Sequence, residues 1–202
     1  MSLGANERAV DTWDRDLLDH DDVAVVRRPT GGRAVWHDHD DLTYAWSGPA
    51  DGPADVRRIY REVHERLAEA IAAPGRAISL AGAVRSPGLA PGACFEVAVG
   101  GEVLIGARKV IGSAQRVYGD RLLQHGAIAV DDRALTLARY RRDARASSPA
   151  IEGSGLESAE ATAAAIAQGW LAAGATTIDS ALASRILLAS EGHRSQYDDP
   201  AW

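Results

Sequence analysis

Three features of the sequence predict an α+β fold in one domain, a mixed but largely antiparallel sheet flanked by helices. From residue 94 to residue 126, CFEVAVGGEVLIGARKVIGSAQRVYGDRLLQHG, short apolar runs alternate with glycine turns, the pattern of successive hairpin strands. Upstream of it, Val56, Ile59, Tyr60, Val63, Leu67, Ala70 and Ile71 recur at the i, i+3, i+4, i+7 spacing of a core-facing helix. Downstream, two helical windows close at Gly174 and Gly192.

Taken in order, residues 2–4 read as the end of a strand entering a turn, and residues 10–19 as a short helix carrying Trp13, Leu17 and Leu18. Residues 23–26 form a β-branched strand that runs into the loop Arg27, Arg28, Pro29, Thr30, Gly31, Gly32, Arg33. Two glycines let a backbone approach a ligand, and exposed N–H groups among three arginines suit a phosphate or carboxylate, although an exposed hairpin turn has the same composition. Residues 34–36 and 42–46 read as strands around the polar cluster His37, Asp38, His39, Asp40, Asp41. A metal is disfavoured there, because alternate residues of an extended segment point in opposite directions, and a hydrogen-bonded corner is preferred.

Residues 49–54 are a linker, and Asp55 is the expected cap of the amphipathic helix, which ends at Pro74-Gly75. A strand at 77–80 and a Pro/Gly loop at 82–92 lead to Cys94; further on come a strand at 127–130 and an arginine-rich helix at 131–145 with Arg133, Arg139, Arg141, Arg142 and Arg145. A connection at 147–155, a capping-box spacing of Ser154 and Glu157 before a helix bearing Ile166 and Trp170, a last helix at 180–190 and a tail at 193–202 complete the chain.

The net charge of −6 and the pI near 5.5 argue against a nucleic-acid partner. No apolar run reaches a membrane span, the first residues lack a signal-peptide pattern, and one cysteine points to a reducing compartment, so a soluble cytoplasmic protein is expected. Of 22 basic residues only Lys109 is lysine, and the one cysteine, Cys94, precedes it by a short stretch. An arginine cannot lose a proton near neutrality, whereas reactive amines and thiols depend on doing so. A cation beside a thiol favours the thiolate, so the two residues can form a nucleophilic site; a buried cysteine and a surface lysine are the bland alternative.

Three segments in this order resemble the lipoate-protein ligase and octanoyltransferase family, which shares its fold with biotin protein ligases: RRPTGGRAVWHD followed by LTYAW, ACF with RKVIGSAQ and LQHGAI, and the tail SQYDDPAW. The chain is most similar to the octanoyltransferases in which the cysteine precedes the lysine. The resemblance implies catalysis by Cys94 and Lys109, with Arg27, Arg28, Thr30, Gly31, Gly32, Arg33, Ala34, His37, Asp38, Gly112, Ser113, Ala114, Gln124, His125 and Gly126 around the substrate. It implies a biotin/lipoate protein ligase-like domain over residues 1–202 that lacks the usual N-terminal helix and strands, and it sets Gly100 and Gly101 where relatives have aromatic residues.

The implied chemistry is transfer of an octanoyl or lipoyl group from acyl carrier protein, through a Cys94 thioester, to a lysine of a lipoyl domain or glycine-cleavage H protein. No cofactor is expected. One alternative is an ATP-dependent ligase, which alone would call for ATP and Mg; the other is an inert paralogue that binds acylated carrier. Arg139, Arg141, Arg142 and Arg145 are the expected docking face for an acidic carrier.

Overall fold

The computed structural model describes residues 1–38, 41–82, 100–130, 134–142 and 155–192, and its longest strands form one hairpin. Strands β1 (Ser2–Leu3), β2 (Val26–Arg27), β3 (Leu42–Pro49), β4 (Ile78–Leu80), β5 (Val103–Ile105), β6 (Arg108–Tyr118) and β7 (Arg121–Ile128) are accompanied by helices α1 (Arg15–His20), α2 (Pro53–Ala70), α3 (Ala134–Arg139), α4 (Ala159–Ala172) and α5 (Ser180–Glu191). β6 and β7 pair from Tyr118↔Arg121 inward, and the connecting Gly119 takes φ +60; Gly106, between β5 and β6, has the same φ. A two-residue hairpin turn needs such a residue, and glycine reaches that conformation without a Cβ penalty.

The five-stranded sheet, in the order β3-β7-β6-β5-β4, is antiparallel throughout, while the parallel pairing belongs to the separate pair β1-β2. One face lies under α2, whose Ile59, Val63 and Leu67, with Ile71 just past its end, pack against Val103, Val110, Ile111, Leu122 and Ile128. Burying a side chain of this size typically contributes about 1.5–3 kcal/mol, so this layer anchors the fold. α4 crosses the outside of α2 where Gly169 faces Ala70 closely; a Cβ on Gly169 would lie 3.2 Å from the Ala70 Cβ. A second apolar cluster, of Leu3, Ala9, Trp13, Leu18, Ala34, Leu137 and Tyr140, joins β1 and α1 to the segment after β7.

The amphipathic helix, the hairpins and the last helix agree with their sequence patterns. Elsewhere long-range contacts override local ones. The helix expected at 10–19 is only α1, because Trp13 forms a bridge with Arg141 and Asp14 then caps the helix, its carboxylate accepting from Leu17 N–H. The strand expected at 23–26 contributes only Val26 to β2, since its earlier valines turn into the second cluster. The strand at 34–36 reduces to a bridge between Val35 and Ser2.

The linker expected from residue 49 begins later, because β3 runs on to Pro49, which a sheet-edge strand tolerates. Gly52 occupies the α2 cap, and Asp55 instead stands in the first turn, where its carboxylate accepts from Asp51 N–H at 2.9 Å. β7 passes through Gly126 without a break, so no new strand starts at residue 127. α4 is capped by Ser158 rather than by the expected Ser154, which lies outside the described residues. In the arginine-rich stretch Arg141 is buried, while the exposed Arg139 meets Asp21 at 2.7 Å and the exposed Arg142 donates through Nε to Trp13 O at 3.0 Å. These contacts tie the segment after β7 to the region of α1; Arg133, Arg145, the 147–154 connection and the tail lie outside the described residues.

The loop after β2 is seated on β1 by a close approach of two glycines. A Cβ on Gly4 would lie 1.9 Å from Gly32 O, whereas one on Gly31 would meet nothing within 4 Å. Gly4→Ala is therefore expected to cost about 1–3 kcal/mol in urea unfolding, as overpacking does, and Gly31→Ala less than about 0.5 kcal/mol. Equal effects of the two substitutions would show that this contact does not seat the loop.

Candidate functional site

Strand register separates the residues of β3, β7 and β6 into two sets. Thr43, Ala127 and Gly112 stand side by side, as do Ala45, His125 and Ala114; the next row toward the opposite face is Tyr44, Gly126 and Ser113. The first set is small apart from His125, which leaves room above it. There a cavity of about 160 Å³ is floored by Thr43, Gly112, Ser113, Ala114, His125, Gly126 and Ala127 and roofed by Ser2, Arg28, Gly32, Val35 and His37. A largely apolar cavity of about 150 Å³ is enough to hold a benzene ring, so this one admits a narrow hydrocarbon group.

The roof is held by its own arginine. Arg28 Nη1 donates to Ser2 O, and Nη2 donates to Gly31 O at 3.0 Å and Arg33 O at 2.6 Å, so the loop is wound around the guanidinium. Gly32 is needed in that winding: it takes φ +97, and a Cβ there would sit 2.9 Å from Arg28 Nη2. Arg27 donates to Gly4 O and Glu7 O, and Arg116 of β6 donates to Pro29 O. Thr30, fully buried, lies 2.6 Å from His125 Nε2 through its hydroxyl, which joins roof to floor. His125 is held below its ordinary pKa by burial first and by the Arg28 charge second.

Beneath the same strands, on the α2 side, lies a buried polar chain whose direction is fixed at both ends by backbone carbonyls. Gln115 Nε2 donates to Val56 O and to Gln124 Oε1, and Gln124 Nε2 donates to Tyr44 OH. At the other end His64 Nδ1 is 2.6 Å from Gly101 O, which can only accept, so Nδ1 carries the proton. Burial pushes the imidazole down to about 4, helped by the nearby Lys109 charge, so the ring is neutral and Nε2 accepts from Ser113 Oγ at 2.7 Å. Ser113 must then accept from the Tyr44 hydroxyl, 2.5 Å away. Gly126 sits inside this packing, where a Cβ would come within 2.4 Å of Gly112 O and 2.5 Å of Ser113 Oγ.

Lys109, the second residue of β6, ends in this interior. Its Nζ lies 2.7 Å from Glu102 Oε1, and the two side chains are 3% and 2% exposed. Tyr60 of α2 directs its hydroxyl at the same carboxylate oxygen from 3.5 Å and stacks edge-on against His64.

Of the residues expected around the substrate, Arg28, Gly32, His37, Gly112, Ser113, Ala114, His125 and Gly126 line the cavity. Arg27, Thr30, Gly31 and Arg33 hold the roof, Ala34 is buried in the second cluster, Gln124 belongs to the polar chain and Asp38 is exposed. Arg27 thus donates to carbonyls of the segment after β1, and Arg28 to Ser2 O and to two carbonyls of its own loop. His37 donates to or accepts from Ser2 Oγ at 2.8 Å and approaches Asp41 to 4.0 Å, the expected corner; His39, Asp40 and Cys94 lie outside the described residues. Among the described residues no three His, Cys, Asp or Glu side chains gather as a metal site, and no helix is long and apolar enough to cross a membrane.

Glu102, His64, Tyr44, Gln115, Ser2 and Thr43 were not anticipated. A signal existed for the first two: Glu102 is an acid inside the apolar run GGEVLI, and His64 interrupts the apolar face of α2.

A family model described as the lipoyl protein ligase A/B catalytic domain matches residues 1–165. The octanoyltransferase LipM of Symbiobacterium thermophilum is 36% identical over 137 residues, covering 65% of this chain and 50% of the relative. LipM of an Exiguobacterium species is 37% identical over 153 residues, covering 67% and 52%. The chain thus spans about half the length of the curated relatives it matches. A solved chain from an archaeal lipoylation system, a bi-partite lipoate protein ligase and its E2 lipoyl domain from Thermoplasma acidophilum, has a TM-score of 0.62 at 19% identity, covering 84% of this chain and 65% of that one. At that identity the likeness is one of fold.

The neutral His64 makes stability depend on pH with a definite sign. Between about 6.5 and about 4 an unfolded histidine binds a proton that the folded ring refuses, so stability is full above 6.5 and falls as pH falls. The loss should be on the order of 3 kcal/mol, and His125, also shifted down, adds in the same direction. Urea unfolding of the wild type and His64→Gln at pH 7 and pH 4.5 tests it: the variant should lose distinctly less on acidification, and equal losses would mean that the ring is not held neutral.

Proposed function

The chain belongs to the lipoyl protein ligase A/B catalytic-domain family, and from that premise we propose that it is an acyltransferase moving an octanoyl group in protein lipoylation. The donor in this reading is a carrier-protein thioester, octanoyl-acyl carrier protein, and the acceptor is the lysine of a lipoyl domain or glycine-cleavage H protein. Likeness to LipM octanoyltransferases supports the acyl group, and the narrow apolar cavity is of the right chemistry for its chain.

The observation that carries the reading is Lys109. A lysine is almost never fully buried without a reason, and a buried ion pair is a poor device for stability, since a hydrophobic pair of similar volume often does as well. Yet the one lysine of the chain stands, paired, on the strand that three residues later floors the cavity, its head group on the α2 side of the sheet and not in the cavity lining. Its ammonium serves to hold the acyl carbonyl oxygen as negative charge develops, a stabilisation worth about 3 kcal/mol per donor in such sites.

Cys94, by the same resemblance, is the nucleophile. Its thiolate adds to the octanoyl carbonyl, the new carbon–sulfur bond replaces the one to the carrier, and the carrier leaves as a thiolate. The neutral amine of the acceptor lysine then attacks the acyl-enzyme, the bond to Cys94 breaks, and nitrogen gives up one proton to leave the amide. Thioester exchange is nearly balanced and aminolysis runs downhill, so neither nucleotide nor metal is required.

Incubation with octanoyl-acyl carrier protein should add one octanoyl mass that hydroxylamine removes, and Cys94→Ala should abolish it. Labelling of an apo lipoyl domain by free lipoate and ATP, with no acyl-enzyme, would select a ligase; binding of the carrier without either would select an inert paralogue. Lys109→Arg keeps the charge but offers a bulkier planar fork. It should lower transfer on the order of 100-fold in a protein still folded at the assay temperature, and wild-type transfer by this variant would remove Lys109 from the mechanism.

A further inference from the structure

We propose that Glu102 is the positioning residue of this site, the counter-charge that keeps Lys109 both protonated and fixed in the interior. The proposal rests on the role just assigned to Lys109. It names a residue that neither the sequence motifs nor the family resemblance marks, and its warrant is the geometry of the turn before β5.

An ammonium this deeply buried is disfavoured relative to the neutral amine unless an anion lies against it. Glu102 supplies that anion at 2.7 Å, the length of a charge-assisted hydrogen bond. The turn that carries this carboxylate is itself held from several sides. Ala81 N–H donates to Glu102 O at 2.7 Å, and Gly101 N–H donates to Ala81 O at 2.8 Å, so the backbone of the turn is fastened to the end of β4. Gly101 has φ +90, its place for a Cβ lies 3.5 Å from the Tyr60 ring, and its carbonyl accepts from His64. Tyr60 then adds its hydroxyl to the Glu102 carboxylate.

Titratable groups that face the pair include Tyr60 and His64 from α2 and Tyr44 from β3. His64 is neutral above about 4, and Tyr44 is pushed above its ordinary pKa, by burial first and with the Glu102 charge in the same sense. Near neutral pH these two neighbours therefore carry no charge, and Glu102 is an anion held directly against Lys109.

That Lys109 is the only lysine makes the proposal directly measurable. Labelling with ¹³Cε-lysine yields one side-chain signal, whose titration can be followed in the full chain without any assay of activity. In Glu102→Gln the midpoint should move down by at least about one pH unit, equivalent to a tenfold fall in the ammonium-to-amine ratio at fixed pH. The alkaline limb of Cys94 acylation by octanoyl-acyl carrier protein should move down with it, so that activity lost on the alkaline side returns at lower pH. A purely structural role moves neither. If Glu102→Gln does not fold, Glu102→Asp is read in the same way: it withdraws the charge by one methylene and should shift the signal in the same direction by less. An unchanged lysine titration in the folded variant overturns the proposal. A shifted titration in a chain whose wild type forms no acyl-enzyme overturns the transfer reading and leaves Glu102 as the anchor of Lys109.

Discussion

The buried pair of Lys109 and Glu102 is the constraint around which the interior is arranged. Two charges taken out of water cost several kcal/mol each, and their attraction offsets this only when geometry is good and the remaining donors and acceptors are met. Helix α2 meets that demand. It lends Tyr60 and His64 from the same face that buries Ile59, Val63 and Leu67, so the helix that closes the core also holds the turn carrying the acid. Docking of α2 and placement of the ion pair are therefore one event, and a shift of either must disturb the other.

The cavity depends on the same strands through their opposite faces. In a pleated strand neighbours alternate between faces, so Ser113 reaches His64 while Gly112 and Ala114 leave open space above. Gly126 stands at the junction, and its missing side chain lets Tyr44 and Ser113 close over it. Rigidity below and emptiness above come from one register, which a slip of a single residue would invert. The roof is made differently, by a loop wound on Arg28 and anchored through Thr30 to His125.

What could be read from the sequence was what is locally encoded. The α2 stripe is periodic, and the glycines at 106 and 119 mark their hairpins, so both are legible without knowledge of any distant partner. Helix α1 is shorter than its local pattern because Trp13 answers to Arg141, far along the chain, and the contacts of Arg139 and Arg142 with Asp21 and the Trp13 carbonyl are equally remote in sequence. Glu102 and His64 were passed over for a similar reason. A single acid in an apolar run and a single histidine on an apolar face are each unremarkable until the fold sets one beside the only lysine and the other against the turn.

Pairing also changes what the lysine can contribute. A free ammonium near a thiol would favour the thiolate by net charge, as the composition first suggests, but Lys109 with Glu102 is a neutral pair, and its field falls away quickly with distance. What it retains is direction: a short, strong donor whose orientation Glu102 sets, in an interior of low dielectric where a well-aimed hydrogen bond counts for more than in water. This favours lysine over arginine even in a chain that writes its other cations as arginine. A guanidinium spreads its charge over a plane and binds carbonyls in a fork, as Arg28 does with Gly31 and Arg33. In the proposed transfer, an ammonium would rest one donor on Glu102 and turn another toward the developing oxyanion. The division of labour between the two residue types, arginine winding the roof and lysine aimed from within, follows from the shapes of their head groups.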